Sequence, residues 1–245
     1  MIAKSEHYNR MIKYWNSQVK ASPSSKNKSR IINKILEIIH KRKCKNILEI
    51  GCGFGQDTII IAKKSGCKIT CVDFSPEMIK KAKYRIREKN LEKQISFILG
   101  NIVDMKLNEN FFDSIIAKSV LHHLFSKNDI ISSCAKIYKS LRPNGIFILV
   151  ENWANSNPSK YESLAFRLSQ RARGLKGIRE VFLKKDEYLN ILREIGFRDI
   201  EWSFIKEYIN ISRYALNKTL KAEVDKIKLT FPKGKVKTLF IVAYK

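Results

Sequence analysis

Three glycines alternate in Ile47-Leu48-Glu49-Ile50-Gly51-Cys52-Gly53-Phe54-Gly55, at the end of a short apolar run. Glycine lets a backbone pass close under a ligand, and the amides that open a following helix face that ligand. A strand feeding such a turn and then a helix is a nucleotide-binding device. The spacing narrows the ligand: a dinucleotide fingerprint needs G-x-G-x-x-G, and position 56 is Gln56. Glu49 sets a carboxylate at the mouth of the turn, which repels pyrophosphate and suits a cation. Asp73 ends a second apolar run, at about the 20-residue distance where an acid accepts hydrogen bonds from ribose hydroxyls. Two adjacent histidines, His122 and His123, follow a later apolar segment, and imidazole titrates near neutrality. A turn serving structure alone does not need three alternating glycines.

These groups need strand ends to hold them. Residues 46–50, 68–73, 95–99, 112–118 and 146–151 read as strands, separated by helical spacing at 58–64, from Ser75-Pro76 to about 89, and at 129–140. Ser75 is an N-cap, Pro76 the first helical residue and Glu77 an acid in the first turn. Arg142-Pro143-Asn144-Gly145 is a turn signal. Strands alternating with helices imply right-handed crossovers and a parallel sheet. Upstream, Tyr8, Met11, Ile12, Trp15 and Val19 mark a short amphipathic helix. Ile31, Ile32, Ile35, Leu36 and Ile39 mark another, capped by Ser29. After Glu151 the rhythm breaks into a polar loop, helices at 160–176 and 184–195, and strands at 197–205 and 238–244. A long Lys-rich connection joins those last two strands.

The glycine turn, Val72-Asp73-Phe74-Ser75-Pro76, Phe112-Asp113-Ser114-Ile115-Ile116 and Leu141-Arg142-Pro143-Asn144-Gly145 occur in one order and spacing. In these segments the sequence resembles the class I S-adenosylmethionine-dependent methyltransferases, from Asn46 to Glu151. The resemblance implies an α/β fold: a Rossmann-like, seven-stranded, mostly parallel sheet with helices on both faces, an antiparallel last strand and helical cap segments. It implies a cap helix and loop over 1–30 and a methyltransferase domain over 31–245, with cofactor core 46–151 and substrate-roof insertions near 153–180 and 206–236. It implies S-adenosyl-L-methionine as cofactor. Glu49 would hold the amino-acid end, and Gly51, Cys52 and Gly53 would run beneath it. Asp73 would meet the ribose, and Phe74 and Met78 would pack on adenine and ribose or serve as core. Asn101 would meet the adenine amino group and the Ile102 amide a ring nitrogen; an alternative alignment puts Asp104 there. Lys118 completes the expected cofactor set at the end of the fourth strand.

Methyl transfer from a sulfonium is an in-line displacement, and a base is needed only if the acceptor must lose a proton. His123 is the candidate, the other reading being that one of the two histidines packs or caps the next helix. Glu151 would bind a cationic or hydroxyl acceptor, or stand in water. Tyr8, Tyr14, Trp15, Trp153, Tyr161, Phe166 and Tyr208 would line an apolar acceptor pocket. A small-molecule acceptor is the favoured reading. RNA is the alternative, suggested by the basic run Arg167, Arg171, Arg173, Lys176, Arg179, Lys184 and Lys185. No RNA-binding module accompanies that run, and no Asn-Pro-Pro-Tyr signature follows the fourth strand. A protein that binds the cofactor without catalysis is a third reading.

Composition sets the remaining bounds. Lys and Arg number 48 against 23 Asp and Glu, a formal charge of +25. That is either a demand for an acidic partner or a habit of a chain rich in Lys, Ile and Asn. No apolar run reaches the ~20 residues of a membrane span, and Met1 to Tyr14 does not read as a signal peptide. A cytoplasmic location is therefore expected. Five cysteines without a Cys-x-x-Cys suggest reduced structural thiols and no metal site. The oligomeric state is not legible.

Overall fold

Apolar runs bounded by turns form seven strands: β1 (Asn46–Ile50), β2 (Lys68–Asp73), β3 (Ile95–Leu99), β4 (Phe112–Lys118), β5 (Leu141–Glu151), β6 (Arg198–Glu207) and β7 (Val236–Tyr244). The helices are α1 (Lys4–Gln18), α2 (Arg30–Lys41), α3 (Gln56–Ser65), α4 (Pro76–Arg87), α5 (Lys127–Ser140), α6 (Lys160–Gly174), α7 (Lys185–Ile195) and α8 (Lys218–Thr230). The computed structural model describes residues 4–18, 30–152, 154–174, 178, 180–207, 217–230 and 235–245. The sheet order is β3-β2-β1-β4-β5-β7-β6. Strands β1 to β5 pair parallel, and β7 runs antiparallel to both β5 and β6. This is the expected Rossmann-like sheet with its antiparallel last strand.

The central strands are apolar on both sides because both faces are covered. Ile47 and Ile116 pack toward α2 and α3, with Ile31, Ile35 and Ile39. Leu48, Ile50 and Ile115 face the opposite layer, with Ile137 of α5 and Leu192 of α7. The Phe-Asp-Ser motif has a structural use: Asp113 Oδ2 accepts the amides of Lys45 and Asn46, each at 2.8 Å, and so fixes where β1 begins. The five cysteines are free and buried.

Two expectations change. The turn at 142–145 does not precede β5 but bulges inside it. From Phe112 to Ser114 on β4, the partner residue moves from Leu141 to Ile146. Asn144 adopts φ 62° there, and a Cβ on Gly145 would meet the Arg142 carbonyl at 2.8 Å. The Lys-rich connection contains α8, whose Leu220, Val224 and Ile227 bury against Tyr161, Ala165 and Leu168 of α6. That i, i+4, i+7 stripe is the signal, diluted by the lysines around it. Val19 and Ser29 lie outside the described residues. Among the described residues no helix is long and apolar enough to cross a membrane.

Helix α1 lies across the carboxyl edge of the sheet. Ser75 Oγ accepts the Met78 amide at 3.2 Å as the α4 cap and donates to Asn16 Oδ1 of α1 at 2.6 Å. His7 Nε2 lies 3.1 Å from the His123 carbonyl, and Lys4 pairs with Asp129 at 2.7 Å. Ser75→Ala removes both the cap and the tether. Denaturant unfolding should show a loss of about 1 kcal/mol or more, larger than for Asn16→Ala, which keeps the cap. Equal losses would mean that the cap contributes nothing.

Candidate functional site

The carboxyl ends of β1, β2, β3 and β4 open on one cavity of about 240 Å³, roofed by Tyr8 and Trp15 of α1. Ligands bind at this edge of open α/β sheets, where the strand order reverses, here between β2-β1 and β4. The glycine turn is the floor. Gly51, Gly53 and Gly55 have φ of 70°, 54° and 71°, the left-handed region. A Cβ on Gly51 would stand 2.3 Å from Val120 Cγ2, whereas one on Gly53 would meet nothing within 4 Å. The floor is therefore closed at Gly51 and open above Gly53.

Asp73 binds that floor. Its Oδ2 accepts the Gly53 amide at 2.8 Å and its Oδ1 accepts the Ser75 amide at 2.9 Å. Burial raises its pKa, while the amides of Ser75 and Gly53 pull the other way. Asp73, Phe74 and Met78 all line the cavity, as do Gly51, Cys52, Gly53, Asn101, Ile102 and His123. The Cys52 thiol is held well above its usual range by the adjacent Cys71 thiol and by burial, so it fills space as a neutral thiol. Asn101 Oδ1 accepts the Val103 amide at 3.1 Å, and Asn101 shares the cavity lining with Tyr8. Asp104, the alternative, is exposed and outside the cavity lining. Lys136, not anticipated from sequence, donates to the carbonyls of Ile102, Val103 and Met105 at 3.0, 2.6 and 3.0 Å and so fixes this loop.

Two expected cofactor residues stand behind the cavity wall. Glu49 shares a strand face with Ile47, under α3, and its Oε2 accepts the Thr58 hydroxyl at 2.5 Å. Burial pushes the Glu49 carboxyl up to about 7, against the Thr58 hydrogen bond. Lys118 pairs with Asp57 at 2.9 Å, and it is Asp57 that reaches the lining.

Beside the cavity, past the end of β4, lies a group of buried histidines and carboxylates. Leu121–His123 forms a 3₁₀ turn that places both rings inward. Glu151 is 1% exposed, so it does not meet an acceptor. Its Oε1 accepts the Val120 and Leu121 amides at 3.2 and 2.8 Å, and its Oε2 lies 2.5 Å from His122 Nδ1. His122 stacks on Phe182 at 5.0 Å. His123 Nδ1 lies 2.8 Å from Glu180 Oε1, and the His123 ring meets Trp15 edge-on at 5.2 Å. His123, His122 and Glu180 also place one donor atom each within 4.8 Å of one another. No local pattern pointed to Glu180, which lies 57 positions beyond His123, outside any helix or strand.

The aromatic and basic expectations divide. Tyr8 and Trp15 line the cavity, and Tyr14 packs on Trp15. Tyr161 is buried between α6 and α8, because that interface needs an apolar stripe. Phe166 packs on Phe182 and faces a separate pocket with Arg167 and Lys184. Arg171 pairs with Glu223, Lys184 Nζ donates to the Asn155 carbonyl, and Lys185 sits 4.1 Å over Trp202. Trp153, Lys176, Arg179, Tyr208 and the Arg173 side chain lie outside the described residues.

Gly51→Ala should abolish ligand binding in the cavity while circular dichroism stays native, through both the Val120 clash and the φ. Gly53→Ala should cost only about 1 kcal/mol, read by calorimetry. Equal losses would remove Val120 from the account. Glu49 makes a pH prediction. Its folded pKa lies above the unfolded value, so its contribution to stability is complete below about 4.5 and lost as pH rises through about 7. Glu49→Gln should flatten that decline in pH-dependent unfolding. An unchanged slope would refute the burial of an ionising group there.

Comparison with known proteins follows the same outline. A family model described as a methyltransferase domain matches residues 41–196. Sterol 24-C-methyltransferase of Kluyveromyces lactis is 27% identical over 160 residues, which cover 63% of this chain and 41% of that protein. The chain thus spans about two fifths of that relative's length. The 27-O-demethylrifamycin SV methyltransferase of Amycolatopsis mediterranei is 22% identical over 195 residues, 80% of this chain and 68% of that one. Phosphoethanolamine N-methyltransferase 2 of Haemonchus contortus, solved with S-adenosyl-L-methionine, superposes with a TM-score of 0.69 at 17% identity, covering 100% of this chain and 60% of that one. At that identity the likeness concerns the fold. The family match runs through more than half of the sequence, from the end of α2 to the end of α7, and the chain belongs to the methyltransferase-domain family, with the fold of the class I S-adenosylmethionine-dependent enzymes.

Proposed function

We propose that this protein transfers a methyl group from S-adenosylmethionine to a small-molecule acceptor. The carrying observation is the cavity itself: a glycine floor tied to a buried acid, at the carboxyl ends of the strands, under an aromatic roof. Its residues fit the cofactor. Space lies open above Gly53, and the Asp73 carboxylate has acceptor capacity for hydroxyls beyond its two amide bonds. Phe74, Met78 and Ile102 offer apolar walls to a planar ring. When bound, S-adenosylmethionine supplies an electrophilic methyl on a cationic sulfur.

The chain's own residues do the rest. Gly51 and Gly53 run beneath the amino-acid end, and Asp57 sets an acid at the same edge, balanced by Lys118. Glu49 acts from below the turn, fixing the start of α3 through Thr58. Asn101 orients the base side, with Tyr8 of the roof in the same lining. Tyr8 and Trp15 exclude water from the reacting atoms, which strengthens every charge interaction beneath them.

Two relatives are named for methylating a sterol and a rifamycin, both small molecules. The basic run gives RNA less support, since Arg171, Lys184 and Lys185 are engaged within the protein. The test is transfer of label from methyl-labelled S-adenosylmethionine into a whole-cell extract split into RNA, protein and small-molecule fractions. Label should enter the small-molecule fraction, with a rate that changes little between about 50 and 200 mM salt. Entry into RNA with a steep salt dependence would contradict the proposal. Cofactor binding with label in no fraction would leave a binding protein without catalysis.

A further inference from the structure

We infer that His123 and Glu180 form a proton-accepting pair and that the acceptor carries a hydroxyl on an apolar body. This rests on the methyl-transfer reading of the same cavity and adds the class of acceptor. The ring of His123 lines the cavity, and its Nδ1 stands 2.8 Å from a carboxylate that is 1% exposed. A buried carboxylate this close to an imidazole nitrogen stabilises the ring once it gains a proton. The neighbouring pair is built otherwise. His122 is clamped by Glu151, which also holds two backbone amides of the same turn, and is sandwiched against Phe182. One histidine is thus fixed as scaffold, and the other is presented to the cavity. The groups around His123 are Glu180 and His122, Glu151 behind them, His7 at its backbone carbonyl, and Tyr8 in the shared cavity lining.

A neutral amine attacks a sulfonium methyl with its own lone pair and needs no base at the start. A hydroxyl is a poor nucleophile until its proton leaves, so a base beside it accelerates the step. In the proposed step the hydroxyl proton passes to His123 Nε2. The acceptor oxygen forms its bond to the methyl carbon while the bond from that carbon to sulfur breaks, and that electron pair stays on sulfur. Positive charge leaves the sulfur and appears on the imidazole, where Glu180 balances it. Two buried carboxylates behind the wall disfavour an anionic acceptor, and Tyr8, Trp15, Val120 and Leu124 favour an apolar one. Glu180 is a positioning residue, since His123 stands between it and the cavity.

The test uses the full chain, with the extract small-molecule fraction as acceptor and S-adenosylhomocysteine as the binding probe. Mass spectrometry of the labelled product should locate the methyl on oxygen. His123→Gln should lower the rate of transfer by about 10²–10⁴-fold, while S-adenosylhomocysteine affinity changes less than about three-fold. In the S-adenosylhomocysteine complex, Glu180→Gln should lower the NMR titration midpoint of His123 by about one pH unit or more, and the acid limb of the rate profile should move the same way. His123→Gln identifies the resonance, and circular dichroism checks the fold of both variants. Label on nitrogen, carbon or sulfur would overturn the pair while leaving methyl transfer standing. So would a midpoint unmoved by Glu180→Gln, or wild-type rates in His123→Gln. A divalent ion that co-purifies in equal amount, with transfer abolished by chelation, would reassign His122, His123 and Glu180 as metal ligands. Label in no fraction would overturn transfer itself, and this pair with it.

Discussion

The Asp73 carboxylate accepts the Gly53 amide on one oxygen and the Ser75 amide on the other. Through the first it holds the floor of the cavity in its left-handed turn. Through the second it holds Ser75, whose hydroxyl caps α4 and tethers Asn16 of α1. Floor, wall and roof thus depend on one buried acid at the end of β2. The cost of burying that acid, visible in its raised pKa, is offset by the amides it satisfies. The acid proposed to meet ribose hydroxyls is at the same time the joint of the cavity it lines.

The charge distribution has the same logic. The chain carries +25 overall, yet Glu49, Asp73, Glu151 and Glu180 are all buried around the carboxyl edge of the sheet. The cations at that edge, Lys118 and Lys136, are engaged by Asp57 and by backbone carbonyls, and several described members of the basic run pair with the protein's own groups. The proposed transfer takes a cationic sulfur and returns a neutral one, and carboxylates held under low dielectric favour the cationic form. The overall charge describes the surface, and the local charge describes the chemistry.

The parallel core was legible because glycine spacing, strand-ending acids and a Ser-Pro cap each leave a local mark. Gly51, Gly53 and Asp73 carry such marks, Cys52, Phe74, Met78, Asn101 and Ile102 followed only from the family resemblance, and all eight line the cavity. Glu49 was legible in type but not in direction. Strand alternation puts it on the face of Ile47, under α3, and the polar Thr58 on the inner side of that helix was the unused signal. Glu180 left no mark, since its role arises from a loop folding back on a turn far away in sequence. Helix α8 was masked by its lysines, whose long stems hide a three-residue apolar stripe. The roof residue Trp15 was legible as aromatic, but its contact with His123 depends on the α1–α4 tether, which is tertiary.

The central claim is that this glycine floor and its buried acid are shaped for an S-adenosyl sulfonium and its thioether, not for a dinucleotide. Isothermal titration of the full chain with S-adenosylhomocysteine and, separately, with NAD tests it most directly. The account predicts one site per chain for S-adenosylhomocysteine and no detectable heat of binding with NAD. Binding of NAD without S-adenosylhomocysteine would contradict it.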